Sequence, residues 1–368
     1  MTSCPDKSGV SPKRLLPLLT ALAVTACASS APLSPAVVDT LALRALSDRV
    51  DNGDFGRIAA VVVSRNGSIV FEDYFGRHTA EGTVDMRSVG KSLTALAVGI
   101  AIADGAISDI DTPVFSVFAD YVPIAHDGAV KQATTLRDLL TLRSPLLCDD
   151  WQDSPGNENR MYRTRNWTRF ALDIPVDPDL AARGPGYSRF SYCTAGVFLV
   201  GQMLERKTGV RFDQFVGDRI FAPLGISEVE WTTSSIGEIQ SGGQISLRAR
   251  DAERLGRLVL NDGQWNGQQI VPRAWITEMV EPVSAPAPGL SYGYLWWISS
   301  FRVGDTEQDF DAVLMLGNGG NLVVVIPALD VVVVVQAQNY NDPADLTLSR
   351  AIVERFILPA LIDPLAVD

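Results

Sequence analysis

Segments with the composition of β-strands lie at both ends of this chain, on either side of a long helical stretch. Near the start, residues 58–63 and 69–75 are rich in β-branched side chains and are joined by Arg65-Asn66-Gly67-Ser68. Asn-Gly between two such runs is a strong signal for a two-residue hairpin turn. Near the end, four more runs have strand composition: residues 292–299, 312–316, 322–326 and 331–336. The simplest arrangement is one antiparallel sheet built from both chain ends, with the helical part inserted.

The middle of the chain has helical periodicity instead. Apolar residues recur at helical spacing over residues 134–142, 196–207, 212–220 and 248–260. A helix is also predicted before the hairpin, with Leu41, Leu43, Leu46 and Val50 on its apolar side, and another over residues 352–361. We therefore predict an α+β domain over about residues 40–365, with a sheet from about 55–78 and 290–340 and helices from about 88–285. The active site is expected where the two parts meet.

The segment Arg87-Ser88-Val89-Gly90-Lys91-Ser92 opens a helix that is apolar nearly all round and ends at Gly105. Residues three apart on a helix share one face, so the Ser88 hydroxyl and the Lys91 amine could come within hydrogen-bond reach. Burial and the positive helix end both favour an uncharged amine, which could accept the Ser88 proton. The alternative is that Ser88 caps the helix and Lys91 extends into solvent.

Residues 1–26 have the pattern of a targeting segment, with basic residues followed by an apolar run too short to span a membrane. The run ends in Val24-Thr25-Ala26-Cys27, which resembles the bacterial lipoprotein cleavage box, whose cysteine is lipidated. Residues 27–39 are then a tether, and the protein is an exported lipoprotein, membrane-anchored and facing the periplasm. Ala28 resembles the outer-membrane sorting pattern, if the host has two membranes. The alternative is a plain secretory signal cut near the same place.

Charge and motif content exclude several functions. The chain of 368 residues has a net charge of -12 at pH 7, which argues against nucleic acid as a partner. Gly90-Lys91-Ser92 imitates the end of a phosphate-binding loop, but Asp85 stands where that motif needs glycine. A serine–histidine triad or a zinc site is not expected, because the two histidines, His78 and His126, lack suitable partners and no G-x-S-x-G segment occurs. No cofactor or metal is expected.

Two later segments, together with the Ser88 tetrad, point to a family. Tyr192-Cys193-Thr194 resembles the Tyr-x-Asn motif of the serine β-lactamase and penicillin-recognising superfamily, and Asn318-Gly319-Gly320 matches its Lys-Thr-Gly motif. The likeness is nearest to class C β-lactamases and their esterase and 6-aminohexanoate-dimer hydrolase relatives, and it covers roughly residues 40–360. Supporting similarity lies in residues 111–114, 255–265 and 292–297.

The resemblance implies a mechanism. Ser88 would attack an acyl carbonyl, Lys91 would take its proton, and the Tyr192 phenol would relay protons to the leaving group and then activate water. Which of the two is the general base stays open. The oxyanion hole would be formed by the backbone N–H groups of Ser88 and Asn321. Gly319 and Gly320 would let the strand edge approach the substrate, the alternative being an ordinary tight turn.

Departures from the family pattern limit the substrate. Asn318 replaces a lysine that helps hold a substrate carboxylate, and Thr194 replaces an asparagine. No Glu-x-x-Leu-Asn segment of the class A deacylation type occurs. These changes favour a hydrolase of small esters or amides over a dedicated β-lactamase. A β-lactamase or penicillin-binding D,D-peptidase on the same fold is the alternative, and a non-catalytic binding lipoprotein is another.

Four cysteines occur, of which Cys4 falls in the targeting segment and Cys27 at the lipidation position. In an exported protein the remaining pair, Cys148 and Cys193, is expected to form a disulfide, the alternative being two buried thiols. Such a bridge would fix the second motif against the loop before Trp151. The acidic residues 148–159 are interpreted as a solvated or capping loop. A calcium loop and a surface that attracts a cationic substrate group are the other interpretations.

Overall fold

The computed structural model describes residues 39–184 and 188–362. Within these two ranges the strands, in chain order, are β1 (Ile58–Arg65), β2 (Ser68–Tyr74), β3 (Val84–Asp85), β4 (Val229–Trp231), β5 (Ile245–Leu247), β6 (Gln264–Trp265), β7 (Gln268–Gln269), β8 (Ser284–Ala287), β9 (Leu290–Tyr292), β10 (Trp297–Arg302), β11 (Asp309–Gly317), β12 (Asn321–Ile326) and β13 (Val331–Ala337). The targeting segment, the lipidation position Cys27, almost all of the tether and residues 185–187 lie outside the described residues.

The helices surround these strands. They are α1 (Thr40–Asp51), α2 (Val89–Ala103), α3 (Ala129–Gln132), α4 (Leu136–Leu140), α5 (Glu158–Met161), α6 (Trp167–Leu172), α7 (Pro178–Arg183), α8 (Thr194–Thr208), α9 (Phe212–Val216), α10 (Ala222–Leu224), α11 (Ala249–Leu260), α12 (Arg273–Met279), α13 (Asp345–Ile352) and α14 (Leu358–Leu361). Short 3-10 segments are Phe115–Val117, Ala119–Tyr121 and Pro327–Leu329, and π-helical segments are Gly217–Phe221 and Val353–Ile357.

One eight-stranded antiparallel sheet joins the two chain ends. Its strand order is β2-β1-β13-β12-β11-β10-β9-β8, so that the first hairpin pairs directly with the last strand. Val61 faces Asp73 on one side and Val335 on the other. The β1–β2 connection contains Asn66 and Gly67 with φ of 49° and 73°, as the Asn-Gly signal predicts. The α+β class and the sheet built from both chain ends are confirmed.

Strands β12 and β13 form the centre of the core. Every residue of both is buried, because helices cover both faces of the sheet. Helices α2 and α11 pack on one face, and α1, α13 and α14, which come from the chain ends, pack together on the other. Gly256 permits the closest approach of α11, since a Cβ there would lie 2.6 Å from a methyl group of Val332.

Helix α2 lies between the sheet and α8. Its residues from Val89 to Ala101 are all buried, which agrees with the apolar pattern that predicts a buried helix. It ends at Asp104 and Gly105, where Gly105 has a left-handed φ of 74°. Trp275 of α12 packs against Gly99 and donates its indole N–H to the Ala95 carbonyl oxygen at 2.9 Å. The middle of α2 is thereby held in the protein interior.

Several element predictions were wrong in detail. The segment 292–299 is two strands, because the chain turns between them where the Gly293 N–H donates to the Trp296 carbonyl oxygen. The final helix begins at Asp345, earlier than predicted, and contains a π-helical segment. The helical region also contains a small sheet of order β3-β5-β4, whose strands of two or three residues are too short to show periodicity. Leu41, predicted on the apolar side of α1, is 73% exposed.

None of the helices within residues 39–184 and 188–362 is long and apolar enough to cross a membrane.

Candidate active site

The turn before α2 presents Ser88 at the surface of a cleft. Arg87 has a left-handed φ of 54°, which is costly for a residue with a side chain and is stabilised by two backbone contacts. The Arg87 N–H donates to an Asp85 carboxylate oxygen at 2.9 Å, and the Gln244 N–H donates to the Arg87 carbonyl oxygen at 2.9 Å. Ser88 itself occupies the N-cap position of α2, but its side chain makes no capping hydrogen bond. Its hydroxyl is therefore available for another partner.

That partner is Lys91. The Lys91 Nζ lies 3.0 Å from Ser88 Oγ, 2.8 Å from Thr194 Oγ1 and 2.6 Å from the Gly242 carbonyl oxygen. Lys91 is only 1% exposed, so the alternative in which it extends into solvent is wrong. All three neighbours of Lys91 Nζ are oxygens that can accept its N–H groups; a neutral amine would donate two to Gly242 and Thr194 and would accept from the Ser88 hydroxyl. The arrangement therefore suits proton transfer from Ser88 to Lys91.

Gly242 belongs to this site, although the sequence analysis did not predict it. A Cβ at position 242 would lie 2.7 Å from the Thr194 carbonyl oxygen, so that only glycine lets this carbonyl segment approach Lys91. The signal that could have found it is the pair Gly242-Gly243, which Gln244 separates from strand β5.

Tyr192 lies beside the amine. Its ring is 8% exposed and stacks between Trp151, at 5.0 Å between centroids and 8° between planes, and Trp297, at 6.1 Å and 19°. The Lys91 Nζ lies 4.8 Å from the centroid of the Tyr192 ring. The Tyr192 hydroxyl makes no hydrogen bond within the described residues. The structure thus brings Ser88, Lys91, Tyr192 and Thr194 together.

The segment carrying Tyr192 runs alongside residues 148–151, which we call the strap. A disulfide joins Cys148 to Cys193, with 5.3 Å between their Cα atoms, and confirms the predicted bridge. Ser191 Oγ donates to the Cys148 carbonyl oxygen at 2.6 Å, and the strap's Asp150 N–H donates to the Tyr192 carbonyl oxygen at 2.7 Å. A covalent bond, two hydrogen bonds and the Trp151–Tyr192 stack therefore fix the position of the Tyr192 ring.

The acidic residues of this loop act as caps. Asp149 accepts the Trp151 N–H at 2.9 Å, and Asp150 accepts the N–H groups of Glu158 at 2.8 Å and of Thr194 at 2.7 Å. Burial raises the pKa of the Asp150 carboxyl to about 6, and the negative charge of Glu158 acts in the same direction. Lys91 and the hydrogen bond from Thr194 act to lower it. This geometry agrees with the capping interpretation of the loop.

The third motif is placed differently from the prediction. Asn318-Gly319-Gly320 forms the hairpin turn between β11 and β12, with φ of 92° at Gly319 and 85° at Gly320. A Cβ at Gly319 would meet the Tyr340 ring, and one at Gly320 would meet Ser349 of α13. These glycines therefore serve a tight turn packed against the protein itself, as the alternative interpretation held. The expectation that they open the strand edge to a substrate was wrong.

The prediction that the Asn321 N–H faces the substrate was also wrong. Asn321 opens β12, an interior strand between β11 and β13, and is 1% exposed. Its side chain donates to the Asn318 carbonyl oxygen at 3.0 Å and accepts the Ala337 N–H at 3.1 Å. Asn321 therefore stabilises the hairpin, and its backbone has no free edge to offer.

The free edge lies at the end of β11. Strand β10 pairs with β11 only as far as Leu314, so the outer edge of residues 315–317 has no strand partner within the described residues. Gly317 lies against the Met86 carbonyl group, and a Cβ at position 317 would overlap the Met86 oxygen. Because Met86 is two residues before Ser88, this edge borders the nucleophile. The glycine at the end of a predicted strand is the only sequence signal for it.

The cleft over Ser88 has a volume of about 170 Å³ and a polar lining. Its lining residues are Arg87, Ser88, Glu158, Asn159, Tyr162, Gly242, Gly243, Gln244, Asn318 and Asn341. Asn318 and Asn341 are joined by two hydrogen bonds, of 2.8 and 3.0 Å. Arg87 supplies the cation of this lining, with its guanidinium 4.3 Å from the Tyr340 ring centroid and 3.1 Å from Asp85. The lining therefore favours a polar substrate group.

Comparison with known proteins agrees with this geometry. The Beta-lactamase family model matches residues 56–355. The 6-aminohexanoate-dimer hydrolase of Paenarthrobacter ureafaciens is 26% identical over 347 residues, covering 90% of this chain and 85% of that protein. Penicillin-binding protein 4 of Amycolatopsis lactamdurans is 22% identical over 297 residues, covering 73% of this chain and 72% of that protein.

Solved structures share the fold. A structure described as a putative 6-aminohexanoate-dimer hydrolase from Bacillus anthracis superposes with a TM-score of 0.67 at 22% identity, over 82% of this chain and 79% of that one. The family model covers most of the chain, including the Ser88 tetrad, the Tyr192 segment and the β11–β12 hairpin. The chain belongs to the β-lactamase family, and it is a serine hydrolase of that family.

Proposed function

We propose that this protein hydrolyses a small ester or amide through an acyl-enzyme on Ser88, with Lys91 and Tyr192 carrying the protons. The observation that carries the proposal is the buried Lys91 Nζ, 3.0 Å from Ser88 Oγ and held from behind by Thr194 and Gly242. A solvent-exposed lysine would be charged and poorly oriented. A buried amine with two N–H acceptors is oriented as a base for one neighbouring hydroxyl.

Acylation would begin with transfer of the Ser88 proton to Lys91 while Ser88 Oγ attacks the substrate carbonyl carbon. The proton would then pass to the leaving oxygen or nitrogen, with Tyr192 as the relay beside Lys91. In the second half of the reaction water would attack the acyl carbonyl carbon and the bond from that carbon to Ser88 Oγ would break, while the water proton passes by way of Lys91 and Tyr192 to Ser88 Oγ.

For the oxyanion hole we propose the backbone N–H of Ser88 together with an N–H group on the outer edge of β11 beyond Leu314. The Ser88 N–H has no hydrogen-bond partner within the described residues, and the outer edge of β11 beyond Leu314 has no strand partner there. Donors of this kind stabilise the negative oxygen of the tetrahedral intermediate, and loss of one typically costs about 100- to 1,000-fold in rate.

The cleft supports a polar acyl or leaving group. Asn318 lines it where β-lactamases have a lysine, which removes one carboxylate-binding charge. Similarity to 6-aminohexanoate-dimer hydrolase makes linear amides of amino acids candidate substrates. A β-lactamase or D,D-peptidase activity is the second candidate, and Arg87 favours it, since its guanidinium could pair with a substrate carboxylate in place of the missing lysine.

We also propose that the protein is exported and anchored to a membrane through a lipidated Cys27. The Cys148–Cys193 disulfide supports export, because such bridges persist in oxidising compartments such as the periplasm. Metabolic labelling with a radioactive fatty acid tests the anchor. Label should appear on the wild-type protein and be absent from the Cys27→Ala variant, and equal labelling of both would refute it.

The catalytic proposal is tested by intact-mass measurement after incubation with a fluorophosphonate, together with a panel of esters, linear amides, β-lactams and D-amino-acid peptides. Wild type should gain one adduct and turn over at least one ester or amide, and Ser88→Ala should do neither. A wild-type protein that forms no adduct and hydrolyses nothing in the panel would favour the non-catalytic binding function.

A further inference from the structure

We propose that Asp150 is a positioning residue for the base of this reaction: its carboxylate holds Thr194 against Lys91 and stabilises the positive charge that Lys91 acquires when it takes the Ser88 proton. This role rests on the function proposed for Ser88 and Lys91. Asp150 does not line the cleft around Ser88, and in the sequence it is only one member of an acidic loop.

The carboxylate of Asp150 joins two segments. One oxygen accepts the Thr194 N–H at 2.7 Å and the other accepts the Glu158 N–H at 2.8 Å. The Asp150 N–H donates to the Tyr192 carbonyl oxygen at 2.7 Å. One residue therefore contacts both Tyr192 and Thr194, the two members of the second motif that approach Lys91.

Thr194 connects Asp150 to Lys91. Its backbone N–H is donated to Asp150, while its Oγ1 lies 2.8 Å from Lys91 Nζ. Thr194 is also the first residue of α8, where a negative charge is favourable because the N–H groups of the first turn point toward it. A displaced Asp150 would therefore displace the oxygen that holds one N–H of Lys91.

The negative charge of Asp150 is not required to hold the strap in place. The strap is already fixed by the Cys148–Cys193 disulfide and the Trp151–Tyr192 stack. Burial disfavours a charged carboxylate, raising its pKa to about 6, and a neutral side chain could accept the Thr194 N–H at lower cost. The charge is useful where a cation forms nearby, and Lys91, which Thr194 connects to Asp150, becomes a cation when it accepts the Ser88 proton.

The other titratable groups facing Asp150 come from α5 and the residue that follows it. Glu158 raises the pKa of Asp150 by repulsion, and the Tyr162 hydroxyl, whose own pKa is raised well above its ordinary value by burial, donates to Glu158 at 3.1 Å. Tyr162 is thus neutral at working pH, so the charges near Asp150 are that of Glu158 and the one that Lys91 acquires with the Ser88 proton. During acylation the proton moves from Ser88 Oγ to Lys91 Nζ, and Asp150 stays ionised throughout.

The test is the pH dependence of kcat/KM for an ester that the wild type hydrolyses. Asp150→Asn keeps the shape and one acceptor oxygen but removes the charge. We expect kcat/KM on the pH plateau to fall about 10- to 100-fold, because the protonated amine is no longer stabilised. We expect the acid limb near pH 6 to be lost, because that limb includes protonation of Asp150, whose pKa burial raises to about 6, and asparagine does not ionise.

Asp149→Asn is the matched control. It makes the same charge change one residue away, on a carboxylate that accepts the Trp151 N–H and does not contact Thr194. It should keep both the plateau and the acid limb of the wild type. An Asp150→Asn profile that coincides with that of Asp149→Asn would overturn the role assigned to Asp150.

If Asp150→Asn does not fold, Asp150→Glu carries the test. It keeps the charge and displaces the carboxylate, so the plateau should fall while the acid limb stays at the wild-type pH, and a displaced acid limb would overturn the proposal. A wild-type protein without Ser88 adduct or turnover refutes the proposed function itself and this role with it. An active wild type with an unaffected Asp150→Asn variant refutes this role alone.

Discussion

Reduction of the Cys148–Cys193 disulfide should destabilise the protein by an amount that depends on the number of residues between the two cysteines. The two cysteines are 45 residues apart in sequence. Closing a loop of that length in the unfolded chain lowers its entropy, and the loop-closure relation gives about 4 kcal/mol of stabilisation at 25 °C. For a domain of this size the corresponding loss on reduction is a fall of about 6 °C in Tm.

The assay is thermal and urea unfolding of the wild type, with and without reductant, beside the Cys148→Ser, Cys193→Ser double variant. Thiol titration of the denatured, unreduced wild type first establishes that the pair is bridged. The double variant should unfold at the lower Tm and be insensitive to reductant. Ester hydrolysis should fall in the same samples, because the bridge holds Tyr192 against the strap.

An unchanged Tm on full reduction, verified by the appearance of two thiols, would refute this reasoning. It would mean that Ser191, Asp150 and the Trp151 stack alone constrain the loop. Lost stability with unchanged kcat would refute only the connection between the bridge and Tyr192. The two readouts therefore separate the role of the disulfide in folding from its role at the site.

Three further outcomes are expected. Gly317→Ala should lower kcat/KM about 100-fold, because the new Cβ would overlap the Met86 oxygen and displace the turn before Ser88. The control Gly217→Ala, where a Cβ has open space, should leave kcat/KM unchanged. Thr194→Val should cost about tenfold in kcat/KM by removing an acceptor of Lys91, and Thr194→Ser should restore most of it. Burial lowers the pKa of Lys131 from 10.5 to about 8. The unfolded chain therefore binds more protons between these values, and stability should rise with pH across that window, by about 3 kcal/mol in total. Urea unfolding at pH 8 and at pH 10.5 should show this rise in the free energy of unfolding for wild type and not for Lys131→Met. An equal rise in both proteins would contradict the lowered pKa of Lys131.

The parts of the fold that were predictable are those with a local physical signature. The apolar helix α2, the Asn-Gly hairpin and the valine-rich strands β12 and β13 have patterns that few other structures satisfy. The single sheet built from both chain ends was predicted, whereas the direct pairing of β1 with β13 comes from the structure. Strands β3, β4 and β5 were missed because two or three residues hold no periodicity, and their pairing depends on tertiary contacts alone.

In the candidate site, too, contacts within one element were predictable from the sequence and contacts between distant segments were not. Ser88 and Lys91 are three residues apart on one helix, so their contact follows from helix geometry. Gly242 contacts Lys91, and Asp150 contacts Thr194, only through the packing of distant segments, which sequence spacing does not encode. The third motif was misplaced because a glycine-rich turn and an open strand edge have similar composition. Only the strand register assigned the turn to Gly319 and Gly320 and the free edge to the end of β11.

The central claim is that a buried amine activates Ser88, and its most direct test is the single-turnover rate of Ser88 acylation in the Lys91→Met variant. Methionine fills a similar volume without a proton acceptor, so the fold should be kept, as circular dichroism would verify. We predict that acylation by an activated ester, followed by stopped-flow and intact mass at pH 7, slows at least about 100-fold relative to wild type. Acylation of Lys91→Met at a rate close to that of wild type would contradict the account.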